Sequence, residues 1–562
     1  MPTVLGINAV FHDPAAALVA GGRIVAAAEE ERFSRRKHGK SAVPFATWEL
    51  PEAAMRFCLR HGGLAPADLD AVAYSYDPAL AEAPRSIHDD DITADAWEPL
   101  RTLYARRAPS FLATALPGLD PQRVVFVAHH VAHAASAYLA AGWEDCAVLV
   151  CDGRGERASM LAGHVRGGTL EVLATQPLPH SLGFLYSALT EHLGFRRDSD
   201  EYKVMAMASY GRPAYLAELR ELVRADGCGG FAVAPIDLGR WAPALRSGDE
   251  WRPEHADLAC SVQTRLEEVL LELVGLLHER TGERDLAMAG GVALNCVANT
   301  RLLEEGPFDR IWVQPAAGDA GTALGAALWV ARDRGGRLAP MGTADLGPGW
   351  TDGELLGWLH AAGIEPERPP DVAEATAEIL AADGIVAWFQ GRSEFGPRAL
   401  GHRSLLANPA YERNLERLND VKGREQFRPV APMVTLERAP DIFTRGPLPS
   451  PYMLFTHGVR EEWRTRIPAV VHVDGSARAQ TVDRREEPLM AAVIDAFERR
   501  TGVPVLVNTS LNTAGRPMVD DPRDALECLG SAPVDALVIG PYVVRRPVAV
   551  GTQDRRPAEV AA

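Results

Sequence analysis

The segment Ala128-His129-His130-Val131-Ala132-His133 carries the sharpest chemical pattern in the chain. The run Val131 to Ala141 is small, apolar and helix-favouring. On a helix, His129 and His133 fall one turn apart on one face, where two imidazoles can share an ion. His130 would point roughly 100° away. Two histidines do not complete a coordination shell. Asp152 and Asp319 are candidate oxygen donors, because each ends an apolar strand in a glycine-rich turn. A mixed imidazole–carboxylate set with open positions suits Fe2+, Mn2+ or Zn2+ better than a closed structural zinc site. An isolated pair at this spacing more often caps a helix or fills a core, so the pair gains weight only with its carboxylates.

Three further groups bear chemistry. Gly290-Gly291-Val292-Ala293-Leu294-Asn295 and Gly318-Asp319-Ala320-Gly321 each follow an apolar run. Glycine there lets backbone amides approach a phosphate or an adenine ring. Together the two segments frame a nucleotide cleft, with Asp319 beside the phosphates. The loops Gly391 to Ser404, Lys422 to Pro429, Asp474 to Thr481 and Asn508 to Asn512 gather cations and amides. Such a set can clamp a polyanion such as ATP or an acyl phosphate. Lys422 is one of only four lysines among 58 basic residues, which marks it out. Finally, His12-Asp13 closes the first strand, where the imidazole could act as a general base or stabilise a transition state.

The elements that must position these residues read as α/β. Strand, turn, strand, turn, strand over Val4 to Ala28 recurs from Ala147 to Ala174, with Gly21-Gly22 and Gly167-Gly168 at matching turns. The pattern predicts a duplicated half-domain facing a nucleotide cleft, the actin/hexokinase-like ATPase architecture. Apolar spacing predicts a helix from Val262 to Arg280, ending at Gly282. Glycine and proline over 334–349 mark a domain boundary, and recurring prolines over 436–452 a second one. Between them, a helix near Val372 to Ala382 and a strand from Ile385 to Phe389 are expected. Residues 554–562 read as a frayed tail.

Composition narrows the classes. The chain has 562 residues, room for two to four domains, and no apolar run of membrane-spanning length. The start lacks a basic, then apolar, leader, so a cytoplasmic protein is expected. Seven scattered cysteines without a C-x-x-C pair offer neither a disulfide framework nor a zinc–thiolate site. The net charge of −17 disfavours a nucleic acid as partner.

Taken jointly and in this order, the motifs resemble the NodU/CmcH carbamoyltransferase family over almost the whole chain. The match also takes in Phe11 to Leu18 and Glu29-Glu30-Glu31-Arg32-Phe33. The resemblance implies a TsaD-like domain (1–343) and a YrdC-like, α+β domain (346–553). The second would form carbamoyl-adenylate from carbamoyl phosphate and ATP. The first would transfer the carbamoyl group to a hydroxyl of a small-molecule natural product. By the same resemblance, His129, His133, Asp152 and Asp319 would bind a metal, typically Fe2+, and His12 would deprotonate or orient the acceptor hydroxyl. Gly290, Gly291, Val292, Asn295 and Gly318 would line the adenosine site. Arg398, Lys422, Arg428 and Arg478, with Asn508 and Ser510, would grip carbamoyl phosphate and the ATP phosphates. Catalysis would rest on His12, Lys422 and Arg428, in a monomer or homodimer.

The sequence departs from the family pattern at Asp200 to Gly211, where the family often has Gly before the lysine and Pro before the tyrosine. Tyr202, beside the retained Lys203, would either narrow the acceptor pocket or pack. The acceptor is not named by the sequence: loops 84–109 and 227–253 would select it, and Trp97, Trp241 and Trp251 would either line an apolar pocket or cover the surface. The rival readings are a tRNA threonylcarbamoyl-type transferase, a hydrogenase-maturation carbamoyl protein, an actin-fold small-molecule kinase and a non-catalytic nucleotide-binding subunit.

Overall fold

The computed structural model describes residues 1–40, 46–81 and 98–546. β1 (Val4–Asn8), β2 (Ala15–Ala20) and β3 (Arg23–Glu29) form an antiparallel meander. Gly21 and Gly22 turn β2 into β3 with φ of 60° and 78°, which side-chain-bearing residues seldom adopt. β4 (Ala71–Tyr74) then joins parallel to β1, and β5 (Val124–Phe126) parallel to β4. The sheet order is β3-β2-β1-β4-β5.

The same plan is then built again. β6 (Cys146–Cys151), β7 (Ala158–Arg166) and β8 (Thr169–Pro177) form a second meander. An insertion follows, with the helices Leu182–His192, Glu201–Ala208 and Pro253–Thr281 and a small hairpin of β9 (Val223–Ala225) and β10 (Phe231–Val233). β11 (Asp285–Ala289) adds parallel to β6, and β12 (Arg310–Val313) parallel to β11, giving the order β12-β11-β6-β7-β8. Strand for strand, the two sheets match, as the duplicated actin/hexokinase-like plan requires. β1 and β6 are buried at every residue, so both read as apolar runs rather than alternating strands.

Each half ends its sheet with a helix that turns back onto it: His129–Ala141 after β5 and Ala320–Asp333 after β12. These two helices pack against each other at backbone distance. A methyl group on Gly325 would lie 1.7 Å from the Ala132 carbonyl oxygen, and one on Gly6 would lie 1.8 Å from that of Ala323. The faces in contact are therefore Ala, Gly and Ser, and this close approach sets where both helix N-termini sit.

Beyond 349 a separate core, from Leu355 to Val544, surrounds a mixed seven-stranded sheet. Its strands are β13 (Val386–Phe389), β14 (Arg403–Ala407), β15 (Ala431–Thr435), β18 (Gln480–Val482), β19 (Val505–Ser510), β20 (Ala536–Ile539) and β21 (Tyr542–Arg545). They lie in the order β18-β15-β19-β14-β13-β20-β21; β16 (His457–Gly458) and β17 (Ser476–Ala477) form a separate pair. β15 and β18 are neighbours in this sheet, so the prolines over 436–452 mark turns within one unit, not a second boundary. Residues 84–97, including Trp97, and the expected tail 554–562 lie outside the described residues.

Buried polar ties join the two regions. Arg32 donates to the Gly396 carbonyl at 2.8 Å, and the Gly396 amide donates to Glu29 at 2.7 Å. Arg35 reaches the Pro517 and Met518 carbonyls and pairs with Asp524 at 2.9 Å. Glu29 and Arg32 of the 29–33 motif thus serve the interface, in contact with Gly396. Trp241 stacks on Tyr215, and Trp251 packs edge-on against Tyr210 and Phe427.

Gly325→Ala should force the two helices apart and destabilise the fold by about 3 kcal/mol, the upper part of the range for overpacking. Denaturant unfolding of the full chain reads this directly; an unchanged midpoint would show that the contact relaxes without cost.

Candidate active site

The helix His129–Ala141 opens where β5 ends, with Ala128 extended before it. No side chain caps it locally. Instead Glu156 reaches across to accept the His129 amide at 2.8 Å and that of Asp77 at 2.9 Å. His129 Nδ1 faces the Ser75 carbonyl at 3.4 Å, which leaves Nε2 for the cluster. That Nε2 lies 3.3 Å from Asp152 Oδ2 and 3.6 Å from Asp319 Oδ1. His133 Nε2 lies 3.6 and 3.7 Å from the same two oxygens. The four donor atoms all fall within 4.8 Å of one another, and all four residues are buried.

His133 has no hydrogen-bond partner on either ring nitrogen, although it is fully buried. Burial alone would lower its pKa, but Asp152 and Asp319 outweigh burial and push it up to about 9. The pair of carboxylates thus makes a point that draws positive charge. Orphaned buried nitrogen facing two buried carboxylates fits a bound divalent cation. His130 points elsewhere: its ring packs against Gly155, and burial and the neighbouring His129 push its pKa down to about 3.

Asp152 does two jobs. While Oδ2 faces the imidazoles, Oδ1 accepts the Gly291 amide at 2.9 Å. Gly290 before it adopts φ 93°, and a methyl group there would lie 2.2 Å from the Cys151 carbonyl oxygen. The glycine turn is therefore locked to the cluster. Gly291, Val292, Asn295 and Gly318 line one cavity with Asp152 and Asp319, whereas Gly290 lies behind them. Asn295 is engaged otherwise than the sequence suggests. Its Oδ1 caps the following helix at the Ala298 amide, 3.1 Å, and its Nδ2 donates to Gln263 at 2.9 Å. Its side chain is a brace for this wall.

The cavity, about 1970 Å³, runs on into the second region. Arg398, Lys422, Arg424, Arg428, Arg478, Asn508 and Ser510 line that end, and all four lysines of the chain border the cavity as a whole. Lys422 Nζ donates to the Ser510 carbonyl at 2.6 Å, to Ser510 Oγ at 2.8 Å and to Asn512. Asn508 holds Ala399 and Gln480 at 3.0 and 2.7 Å, and its Oδ1 is buried without a partner. Arg398 and Arg478 each keep a buried Nε without a partner. The Arg428 guanidinium sits 4.5 Å over the Tyr202 ring, and Lys203 bridges Asp200 at 3.0 Å to Glu425 at 2.9 Å. Tyr202 therefore packs across the junction between the two regions.

Models of the carbamoyltransferase N-terminus and C-terminus match residues 3–328 and 377–546. The chain belongs to the carbamoyltransferase family. It is 40% identical over 566 residues to nodulation protein NolNO of Sinorhizobium fredii, covering 96% of this chain and 80% of that one. It is 36% identical to an uncharacterized protein of Synechocystis sp., covering 97% of each. Nodulation protein NolO of Bradyrhizobium diazoefficiens is 40% identical over 74% of this chain and 78% of its own.

In this carbamoyltransferase the far end of the cavity stores electrostatic repulsion. Burial, then the neighbouring Arg478, pushes Arg398 down to about 9; burial, then Arg428, does the same to Arg424. Guanidinium groups still keep their protons at neutral pH, so the shifts report burial together with crowding of like charges, and an anion would relieve both. Burial, then Arg424 and Arg428, holds Lys422 well below the ordinary lysine range. Neither Arg424 nor Lys203 is marked by type or spacing alone: the first is one cation in a basic run, the second lies in the segment that departs from the family pattern. At the other end, desolvation would lower the His12 pKa, but Asp319 and Asp13 outweigh it and raise it well above the ordinary value; a cation held by Asp319 would cancel the larger of those two pulls and free the imidazole to accept a proton.

An anion entering this pocket should raise the Lys422 pKa, so binding takes up a proton and weakens as pH rises. Sulfate, whose own charge is constant over neutral pH, provides the probe. Its Kd for the full chain should increase from pH 6.5 to 9, and the slope should vanish in Lys422→Met. A flat Kd in the unchanged chain would contradict the depressed lysine.

Proposed function

We propose that this enzyme is an ATP-dependent O-carbamoyltransferase with two chemical stations in one cavity. Residues 346–553 act as the YrdC-like station, which joins carbamoyl phosphate and ATP into carbamoyl-adenylate. Residues 1–343 act as the TsaD-like station, where a hydroxyl of a small-molecule acceptor takes the carbamoyl group and AMP leaves. The single observation that carries this reading is the shared cavity, lined by the cationic pocket at one end and by Asp152 and Asp319 at the other.

Placement supports the part this reading gives each residue. Lys422, Arg398, Arg428 and Arg478 hold the phosphates of ATP and carbamoyl phosphate, and charge relief on binding supports their grip. Ser510 and Asn508 fix Lys422 and the pocket wall. Gly291, Val292 and Gly318 present backbone to the adenosine. His129, His133, Asp152 and Asp319 hold a divalent metal, and their two-imidazole, two-carboxylate donor set suits Fe2+, with Mn2+ and Zn2+ as the other candidates. Such an ion, when bound, supplies Lewis-acid stabilisation of the adenylate phosphate. His12 orients or deprotonates the acceptor hydroxyl. A single shared cavity supports this division of labour, since carbamoyl-adenylate released to bulk solvent is open to attack by water. The free cysteines fit a reducing cytoplasm.

Incubating the protein with ATP, radiolabelled carbamoyl phosphate and Fe2+ should yield carbamoyl-AMP. Lys422→Ala should abolish its formation. His133→Ala should spare it while stopping transfer to hydroxylated acceptors. Absence of carbamoyl-AMP would sink the reading, and equal loss of both steps in His133→Ala would sink the division into stations.

A further inference from the structure

His12 does not stand alone at its end of the cavity. Its Nδ1 lies 2.9 Å from Asp13 Oδ2. The other oxygen of Asp13 lies 2.9 Å from His38 Nδ1. His38 Nε2 in turn lies 2.7 Å from Ser199 Oγ. One carboxylate thus sits between two imidazoles, and a hydroxyl closes the line. All four residues border the cavity. With Nδ1 engaged, the His12 Nε2 has no partner among the described residues, and the side chain is 43% exposed.

The backbone is strained to build this line. Asp13 and His38 adopt left-handed φ values of 49° and 64°, and Asp198, next to Ser199, adopts 56°. These are three of the six such non-glycine residues described, and they meet at one corner. Left-handed backbone costs of order 1 kcal/mol per residue and concentrates where function demands it. Asn8 anchors the turn by donating to the His12 and Asp13 carbonyls, both at 2.9 Å. The His38 amide is held by Glu31 at 2.7 Å. Three separate segments therefore converge on Asp13.

We propose that Asp13 and His38 are positioning residues for His12 in the transfer step, with Ser199 fixing the tautomer of His38. This rests on the reading of His12 given above. The Ser199 hydroxyl donates to His38 Nε2, so His38 carries its proton on Nδ1 and donates it to Asp13. The carboxylate, held from that side, accepts from His12 Nδ1–H and directs Nε2 toward the acceptor. In the step itself the acceptor hydroxyl proton passes to His12 Nε2 as the new O–C bond forms. The bond from the carbamoyl carbon to the adenylate phosphate oxygen breaks, and AMP leaves with that electron pair. Asp13 keeps its negative charge throughout, as an orienting carboxylate does.

The test measures the two half-reactions separately in full-length His12→Ala, Asp13→Asn, His38→Ala and His38→Asn. His38→Ala and Asp13→Asn should each lower kcat for transfer roughly a hundredfold, the scale of one misplaced general base. Carbamoyl-AMP formation and the KM for ATP and carbamoyl phosphate should stay unchanged. His38→Asn, whose amide can replace Nδ1–H, should recover much of the loss. In a His12→Ala background, Asp13→Asn should cost nothing further. If His12→Ala slows transfer but the Asp13 and His38 variants do not, or if they lower both half-reactions alike, the positioning role falls. If His12→Ala itself leaves transfer intact, the reading of His12 falls instead.

Discussion

Two buried carboxylates and two buried imidazoles meet at a point that neither half of the duplicated fold can furnish alone. His129 and His133 begin the helix after β5, and Asp319 begins the matching helix after β12. Asp152 follows β6, and His12 and Asp13 follow β1, its counterpart. The set is thus assembled from equivalent corners across a pseudo-two-fold relation. What brings the corners within reach is the contact of two helices at backbone distance, which only Gly325 and its small neighbours permit. Unpaired, charges buried this deeply would be costly. Together they form a strong demand for a cation.

The rest of the molecule serves that demand and its opposite. At the far end of the same cavity, guanidinium groups and Lys422 are crowded without enough acid to balance them, which is a demand for anion. In the proposed mechanism a phosphate-bearing intermediate would answer both, first neutralising the cationic pocket and then meeting a cation held by the His/Asp cluster. The ties between the regions matter because the two ends must stay in register. Arg32, Arg35, Lys203 and the Arg428–Tyr202 contact all cross that junction.

Local patterns were legible in the sequence, and long-range ones were not. Four-residue spacing put His129 and His133 on one helix face, and the glycine-paired turns announced the repeated meander. The helix expected over Val262 to Arg280 begins earlier, at Pro253, because its first turn is polar and carries proline at the opening position rather than an apolar stripe. Asn295 looked like a ligand-facing amide beside glycines, yet an Asn before a helix is as well suited to capping it. Lys203, Arg424 and the Glu29–Arg32 pair find their partners hundreds of residues away or amid other cations, so no periodicity reports them. The line from His12 to Ser199 was hidden for the same reason: it joins three segments whose only common feature is strained backbone.

In the proposed mechanism one shared cavity both makes the intermediate and hands it on. A single-turnover reaction with enzyme in excess, radiolabelled carbamoyl phosphate and ATP, but no acceptor, tests it most directly when followed by rapid filtration. Labelled carbamoyl-AMP should remain with the protein. Its appearance in the filtrate as fast as it forms would contradict a shared cavity and leave two sites joined only by diffusion.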